Sequence, residues 1–554
     1  MTVRRSVKRV LNRANATKER RAHSPVRSSQ DTVPIADAIE AYWKRDMVSF
    51  AIPAHHGGRG VTPEFARWAG IDAARSDLPM SHGLDTRDRA WKVQSTAQEL
   101  FADAVGAKQT LFSTNGSSMS VHVAILSVAG PGDTIVLARN GHKSTFAGLV
   151  LSGARPVYVD AYYDEELEIA LGPLAADVSL ALDANPEARA AMIFTPSYYG
   201  TTADVSAIAD ACHARDLPLV TDDAWGLDYA LSGHPELPEG ALAQGADLAI
   251  GSVHKTLSGL SQTSVLSVGS DRIDTERLQL CFELEESTSA SALLLSSIDG
   301  ARRQFVREGP ELLDRAVRSA KLLREGLAAE VPELRVISAQ ELASRPGVTG
   351  VDPTHVMIET APIGLTGFQA DDWLRDERSI DIELVDHRRI MALITFAHGE
   401  EDVDRLVRGL RDLVDEKGGG EGTPVRPLPS RRELRTEQAM LPRDAFFSAP
   451  ETVKPGEAAG RVSAEYITPY PPGIPAVAPG ELITHAIVDY LEEIVANGAF
   501  VEGAADPTLG SYRGFTRPWV YSRHLIHGLE GGHALEESPC VEHDGDHLVN
   551  TDRN

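Results

Sequence analysis

The chain has 554 residues, enough for about three to four domains of ordinary size. With 42% hydrophobic and 24% charged residues its composition is that of a globular protein, and no apolar run approaches the roughly 18 residues of a bilayer-spanning helix. Its formal charge of −26 disfavours binding to nucleic acid or to an anionic membrane.

Residues 1–30 carry the opposite charge, because they contain nine basic residues and one acid, Glu19. A short basic amphipathic helix that binds a surface or directs transit is one interpretation, and a disordered tail is the one we favour. The three cysteines, Cys212, Cys281 and Cys540, are too few and too scattered for a disulfide framework. Because no apolar signal-peptide core follows the basic residues either, we expect a cytoplasmic protein.

From about residue 95 to 270, short apolar and β-branched runs alternate with helical stretches, which is typical of a parallel sheet covered on both faces. The predicted strands are 110–113, 133–138, 156–160, 191–194, 217–221, 247–251 and 263–268. Between them, residues 204–215 predict a helix that begins at a capping aspartate and turns Ile208, Ala211 and Cys212 toward the sheet. The sequence therefore predicts an α/β domain with a mainly parallel, seven-stranded sheet.

Residues 310–330 predict one long amphipathic helix, and residues 354–413 predict a strand, a helix, two strands and a helix, as expected for a smaller α+β domain. The residues that follow are rich in Gly and Pro without periodicity, which indicates a linker. Residues 542–554 contain His and Asp at no spacing typical of metal ligands, so we predict a frayed tail and no metal site. The predicted division is a tail at 1–30, a large domain with its N-terminal segment at 31–305, a small domain at 306–416, a linker at 417–430 and a C-terminal domain at 431–554.

Lys255 follows directly after a predicted strand, in the run Gly-Ser-Val-His-Lys-Thr. In open α/β sheets ligands bind at this end of the strands. A lone lysine at such a place is usually a solvated surface residue. Three other strand ends, however, supply what a lysine that forms a Schiff base with pyridoxal phosphate requires.

The first of these strand ends is a seat for a phosphate group. In residues 114–118 a strand runs through a Gly turn into a helix that starts with hydroxyl residues. Free backbone N–H groups, the helix dipole and the side chains of Ser117 and Ser118 can bind a phosphate there. Taken alone, this sequence is equally a common turn and helix cap.

The other two strand ends supply a carboxylate and an aromatic ring. Asp222 can pair with the pyridine nitrogen and keep it protonated, while Asp223 would point to the other side of the strand. His142 can stack on the cofactor ring. Each residue has a simpler structural explanation, as a loop cap or a satisfied histidine, but all of these strands belong to one predicted sheet, so their ends can converge.

These motifs resemble those of the Orn/Lys/Arg decarboxylase family, whose members are fold-type I pyridoxal phosphate enzymes. Two distant segments agree: residues 52–58 resemble the family's Pro-Gly-His-Lys-Gly element, and residues 461–481 are similar to the signature of its C-terminal domain. The matching stretches near the strand ends are 115–118, 139–144, 195–200, 222–225 and 251–266. The resemblance implies a fold-type I large domain, a smaller α+β domain and a C-terminal α+β domain.

The resemblance also implies a role for each matching residue. Lys255 matches the Schiff-base lysine, Asp222 the partner of the pyridine nitrogen and His142 the stacking histidine. Trp225 stands where many members have His, and Thr288 lies in a hydroxyl-rich loop that reaches the phosphate of the neighbouring subunit. The phosphate-side positions are Gly116, Ser117, Ser118, Ser252 and His254.

Three departures from the family pattern concern the substrate side: Ala54 and His56 replace Gly and Lys, and Gly141 replaces a common Cys. The sequence also resembles the short members without an N-terminal wing domain, so we expect a homodimer or higher homo-oligomer with composite active sites, in which a neighbour's residues 55–56 and Thr288 loop take part. Decamers are not expected.

The expected activity is decarboxylation of a small basic amino acid, namely lysine, ornithine or arginine, with Glu383 or Glu465 as possible partners of its distal cation and a structural role favoured for each. A transamination or elimination on the same cofactor, or a non-catalytic partner-binding relative, are the alternatives.

Overall fold

The computed structural model of the protein describes residues 29–516 apart from 46, 79, 81–83, 85–91, 420–433 and 471–472. The predicted tail at 1–30 and linker at 417–430 lie almost wholly outside the described residues, and the predicted frayed tail at 542–554 lies wholly outside them. Within the described part, none of the helices combines the length and the apolar character that crossing a bilayer requires.

A seven-stranded sheet forms the centre of the fold. The strands of this half of the chain are β1 (Gln109–Ser113), β2 (Thr134–Ala138), β3 (Arg155–Val159), β4 (Ala161–Asp164), β5 (Ile169–Pro173), β6 (Ala188–Phe194), β7 (Thr201–Thr202), β8 (Leu219–Asp222), β9 (Leu248–Ser252) and β10 (Ser264–Val268). The sheet order is β1-β10-β9-β8-β6-β2-β3, with β10 antiparallel to both neighbours and every other neighbouring pair parallel. All seven predicted strands are present, with boundaries within three residues, which confirms the predicted mainly parallel α/β sheet.

Both faces of this sheet are buried, because helices cover each of them. Alternate residues of β2 belong to two separate apolar clusters, Ile135 and Leu137 to one and Val136 and Ala138 to the other. The helices of this region are α1 (Pro34–Lys44), α2 (Pro63–Ala69), α3 (Ile71–Ser76), α4 (Lys92–Val105), α5 (Gly116–Val128), α6 (Lys143–Ser152), α7 (Ala175–Ala184), α8 (Val205–His213), α9 (Leu227–Ser232) and α10 (Val253–Thr256).

Helix α8 follows the prediction at its start and departs from it on one face. The Asp204 carboxylate accepts a backbone N–H of the first turn at 3.0 Å, and Ile208 and Cys212 are buried. The prediction for Ala211 is wrong, because Ala211 is only half-buried and Ala209 is buried in its place. At about 100° per residue the buried stripe is centred between Ile208, Cys212 and Ala209, so Ala211 lies at its edge.

A smaller sheet, β11-β13-β15-β14, is antiparallel throughout. Its region contains α11 (Thr275–Glu285), α12 (Ala292–Glu330), β11 (Arg335–Val336), α13 (Ala339–Ala343), β12 (Gly350–Val351), β13 (His355–Glu359), a 3₁₀ turn (Ala361–Ile363), α14 (Gly367–Arg378), β14 (Leu384–Val385), β15 (Arg389–Leu393) and α15 (Glu400–Lys417). The order β13, α14, β14, β15, α15 is the one the sequence predicts, while β12 pairs with β7. The predicted helix at 310–330 is only the second half of α12, which continues through Pro310 although proline is typical of a helix start.

The last described region is also α+β. It contains α16 (Pro442–Phe447), β16 (Glu451–Val453), α17 (Pro455–Ala458), β17 (Val462–Ser463), β18 (Thr468–Tyr470), α18 (His485–Ala496), β19 (Phe500–Glu502) and β20 (Tyr512–Phe515). β20 lies between β16 and β17, and β18 pairs with β19. An apolar cluster of its own lies beneath these elements. The predicted boundary between 305 and 306 falls inside α12, and the division into domains remains a prediction.

Candidate active site

Lys255 lies just past the end of β9, on the single turn α10. Its side chain is half-buried, and its Nζ atom lies 4.4 Å from the centroid of the Trp225 ring. Burial lowers the pKa of the Lys255 amine, while the carboxylates of Asp222 and Glu383 act in the opposite direction. A lysine with a lowered pKa is more often unprotonated, so it can attack a carbonyl carbon.

Asp222 is the last residue of β8, the strand next to β9, and it is buried. Burial raises its pKa to about 6. Two interactions oppose this shift: the charge of Lys255, and a hydrogen bond of 3.2 Å that the carboxylate accepts from the N–H of Ala224. The next residue, Asp223, is also buried and interacts with the backbone of Ala241. Lys255 affects the pKa of Asp222 and is absent from the groups that affect the pKa of Asp223, so of the two carboxyls Asp222 is the one that interacts with Lys255.

Two side chains beside this pair have buried polar atoms without a hydrogen-bond partner among the described residues: the indole N–H of Trp225 and the hydroxyl of Tyr198. Burial, and after it the charge of Asp222, raises the pKa of Tyr198 well above its usual value. The sequence motif at 195–200 contains Tyr198, a residue to which the sequence alone assigns no role. The available signal is its position four residues after the end of the buried strand β6, at the same sheet edge.

The predicted phosphate seat forms where β1 leads into α5. Gly116 opens the helix with φ +78°, a conformation that favours glycine, and its N–H donates to the carbonyl of Gln262 at 2.9 Å. The Ser252 hydroxyl, at the end of β9, donates to the Ser117 hydroxyl at 2.8 Å. The other N–H groups of the first turn have no partner within a helix, so this corner can bind an anion.

The other three residues predicted near the phosphate differ in exposure and in hydrogen bonding. His254 is half-buried and its Nδ1 pairs with the carbonyl of Thr263 at 3.0 Å, so that nitrogen carries the proton. Ser118 is exposed on the first turn of α5. Thr288 is exposed in the loop between α11 and α12, and within the described part of the chain no hydrogen bond joins it to the seat.

His142 caps the N-terminus of α6, next to the end of β2. Its Nδ1 accepts the N–H of Ser144 at 3.2 Å. Burial lowers the pKa of His142 to about 3, and the positive charges of Lys255 and Lys143 act in the same direction. The ring is therefore neutral near pH 7, and it lies close enough to Lys255 for the charge of the lysine to affect its pKa. A neutral imidazole at this place can pack against an aromatic group.

A cavity of about 470 Å³ opens beside Lys255, and its other walls come from the smaller sheet and α15. Glu383 lies in its wall, and burial raises the pKa of this carboxyl while Lys255 and His355 oppose the shift. The other candidate acid, Glu465, is buried elsewhere, where its carboxylate accepts two backbone N–H groups at 2.8 and 2.9 Å. Of the two acids, Glu383 is the one that shares a cavity with Lys255.

Comparison with models of protein families identifies the family of this chain. The model of the Orn/Lys/Arg decarboxylase major domain matches residues 33–402, and that of the C-terminal domain matches residues 431–513. The chain belongs to the Orn/Lys/Arg decarboxylase family. It is a pyridoxal phosphate-dependent amino-acid decarboxylase of fold type I.

Two relatives and one solved structure illustrate the similarity. The chain is 36% identical over 489 residues to the arginine decarboxylase of Halalkalibacterium halodurans, and the aligned residues cover 88% of this chain and 98% of that protein. It is 34% identical over 485 residues to the arginine decarboxylase of Bacillus subtilis, with the same coverage of 88% and 98%. The structure of Escherichia coli constitutive lysine decarboxylase has a TM-score of 0.70 at 22% identity and covers 87% of this chain and 82% of its own, a likeness of fold.

The residues at the sheet edge fit pyridoxal phosphate. The cofactor requires an amine, a carboxylate for its ring nitrogen, a seat for its phosphate and a face for its ring. The chain offers Lys255, Asp222, the α5 N-terminus with Ser117, and His142, while the unpartnered donors of Trp225 and Tyr198 point to a polar group still to be bound. The residues present at this edge of the sheet therefore fit the cofactor, and their individual roles remain a prediction.

The raised pKa of Asp222 predicts how the stability of the cofactor-free decarboxylase changes with pH. An exposed aspartate titrates near 3.8, whereas Asp222 in the folded chain titrates at about 6, so the folded state holds this proton more tightly. The wild type should lose up to about 3 kcal/mol of stability from this group as the pH rises from about 4 to well above 6. Asp222→Asn lacks the titration, so its free energy of unfolding should rise relative to that of the wild type over that interval.

Urea unfolding of both cofactor-free proteins at about pH 4 and about pH 8 measures this difference. Asp376→Asn, which changes an exposed aspartate, is the matched control and should show no such growth. An equal difference between wild type and Asp222→Asn at both pH values would contradict a raised pKa for the buried Asp222 carboxyl.

Proposed function

We propose that this decarboxylase acts on a basic amino acid, with arginine as its preferred substrate, and releases the amine and carbon dioxide. The observation that carries the proposal is Glu383, an acid in the wall of the cavity that also contains Lys255. A carboxylate at that position can neutralise the distal cation of a substrate whose α-amino group is at Lys255. The two relatives that are 36% and 34% identical are arginine decarboxylases, which supports arginine over lysine and ornithine.

The proposal assigns the chemistry to residues at the sheet edge. When bound, pyridoxal phosphate supplies a conjugated ring that accepts the electron pair left when the bond from Cα to the carboxylate breaks. Lys255 would hold the cofactor through its Nζ atom, beside the position that the amino group of the substrate would occupy. Asp222 keeps a proton on the ring nitrogen, and the neutral ring of His142 packs against the cofactor ring.

The remaining assigned residues hold the phosphate and shield the site. Ser117, Ser252 and the first-turn N–H groups of α5 bind the phosphate, with Ser118 and His254 at the rim of the seat. Trp225 packs between Lys255 and His355, whose ring centroid lies 6.0 Å from that of the indole, so it excludes water from the lysine on that side. We propose a cytoplasmic location on the cysteine content, and both described cysteines are free thiols.

We also propose a homodimer with composite active sites. Thr288 is exposed in its own chain, which leaves it available to the phosphate seat of a neighbour. The N-terminal segment carries large apolar side chains in water, among them Phe50 at 96%, Trp68 at 72% and Val48 at 71% exposed. Such a patch is typical of a surface that another protein covers, and a second copy would bring residues 55–56 to the site with it.

The reaction is tested by incubating the purified protein and pyridoxal phosphate with arginine, lysine or ornithine and identifying each product by mass spectrometry. We expect carbon dioxide and the amine from arginine at the highest kcat/KM, and no turnover by Lys255→Ala. A 2-oxo acid product would indicate transamination instead. If cofactor bound and no amine formed from any of the three, the basic-substrate proposal would fail.

The role of Glu383 predicts a selective effect on substrate binding. Removing one charged partner of a guanidinium costs about 1.5–3 kcal/mol, so Glu383→Gln should raise KM for arginine roughly 10- to 150-fold with a smaller change in kcat. Glu311→Gln, the same substitution at an exposed position on α12, is the control and should change neither constant. An unchanged KM in Glu383→Gln would show that another group binds the distal cation.

Composite sites predict that two inactive variants rescue each other. Lys255→Ala disables the site of its own chain, whereas Thr288→Ala or His55→Ala disables the site of the neighbour, so a mixed dimer contains one intact site. Mixing the two proteins after subunit exchange should restore part of the activity. Sedimentation that finds a fully active monomer, or no rescue despite proven exchange, would contradict the proposal.

A further inference from the structure

We propose that the buried ion pair between Arg139 and Glu481 is a positioning device, which fastens residues 473–481 onto the loop that carries His142 and so fixes the ring of that histidine. We call residues 473–481 the Pro-rich segment. The inference rests on the proposed function only for what His142 does with the cofactor. The fastening itself concerns two parts of the chain that are far apart in sequence.

The ion pair between Arg139 and Glu481 is bidentate. The Nε and Nη2 atoms of Arg139 each donate to one oxygen of the Glu481 carboxylate at 2.9 Å, and its Nη1 atom donates to the carbonyl of Pro475 at 2.9 Å. Glu481 also accepts the N–H of Ala478 at 2.7 Å. The side chains of Arg139 and Glu481 are only 7% and 1% exposed, so water cannot replace these bonds.

Aromatic rings complete the surroundings of the guanidinium. The Cζ atom of Arg139 lies 4.7 Å from the ring centroid of Phe146, on α6, and 5.5 Å from that of Tyr158, on β3. Charge and ring contacts together leave the guanidinium one orientation. Because Arg139 directly follows β2, the pair fixes the Pro-rich segment relative to the strand that precedes His142.

A second contact joins the Pro-rich segment to His142 itself. The N–H of Lys143 donates to the carbonyl of Gly473 at 3.1 Å, and a Cβ atom on Gly473 would lie 3.3 Å from the Cδ2 atom of His142. Gly473 has φ +90°, so the backbone passes close to the histidine ring at a position that favours glycine. The Lys143 ammonium also forms an ion pair with Glu502. The segment thus contacts the loop on both sides of His142.

Stability alone gives no reason for an ion pair at this place. Two well-packed apolar side chains of the same volume would hold the segment as firmly as a buried ion pair, whose desolvation offsets much of its attraction. A bidentate pair also fixes the relative orientation of the two side chains, because the planar guanidinium matches the carboxylate in one geometry. A fixed orientation of the loop is needed if the His142 ring has to lie parallel to the cofactor ring.

The experiment compares Glu481→Gln with Glu451→Gln, the same substitution at an exposed ion pair with Arg461 in the same region. Hydrogen exchange of the cofactor-free proteins is followed by mass spectrometry. In Glu481→Gln we expect the amides of residues 139–150 to exchange at least ~10-fold faster than in the wild type, with no change in Glu451→Gln. After loading, the visible circular dichroism of the bound cofactor should change, and kcat should fall about 10-fold or more with little change in KM.

A second variant covers the case in which Glu481→Gln does not fold. Gly473→Ala leaves the ion pair in place but introduces a Cβ atom 2.9 Å from the Tyr470 ring and 3.3 Å from His142, so it should give the same change in circular dichroism. Exchange that rises only in residues 434–516 would overturn the inference, since the pair would then stabilise only its own region. Unchanged exchange at 139–150 and unchanged circular dichroism in both variants would overturn it as well.

The failure of this inference can be told apart from failure of the proposed function. The exchange measurement uses neither cofactor nor substrate, so it stands even if no amine is formed. Conversely, a His142→Ala variant with normal turnover would remove the proposed role of His142 and leave the fastening of residues 139–143 intact.

Discussion

The meeting of an amine and a carboxylate at the buried ends of two neighbouring parallel strands is the constraint on which the site depends. β8 ends at Asp222 and β9 leads into Lys255, and the parallel pairing of these strands brings both side chains to one edge. Burial opposes the charge on each group, lowering the pKa of the lysine and raising that of the aspartate, while each supports the charge of the other. Such opposed shifts are typical of groups that exchange protons with a bound molecule.

The other parts of the chain are arranged around this pair. The corner between β1 and α5 offers N–H groups and hydroxyls on one side, and the cavity below the smaller sheet presents Glu383 on another. The third side is covered by the Pro-rich segment, through the contacts of Gly473 and Glu481 with the loop of His142. The residues that we propose for the phosphate, the distal cation and the cofactor ring therefore come from three different parts of the chain.

Much of the fold can be predicted from local sequence, because a strand buried on both faces is a continuous apolar run. The seven strands and the order of elements after residue 354 follow from this rule. The start of α12 could not be predicted, since Pro310 is typical of a helix start and only packing of residues 292–309 against the large domain reveals the longer helix. The burial of Ala209 in place of Ala211 could not be predicted, because the direction of the buried stripe depends on the neighbours of α8.

The site was predictable where strand ends bring residues together and unpredictable where distant segments meet. Strand ends identify Lys255, Asp222 and His142 as a group, but the choice of Glu383 over Glu465 needs the backbone partners of the latter. The central claim is that Lys255 holds the cofactor, and borohydride reduction of the loaded protein followed by peptide mapping tests it most directly. The account predicts a single modified lysine at position 255 and no modification in Lys255→Ala, whereas cofactor fixed to Lys143 or another lysine would contradict it.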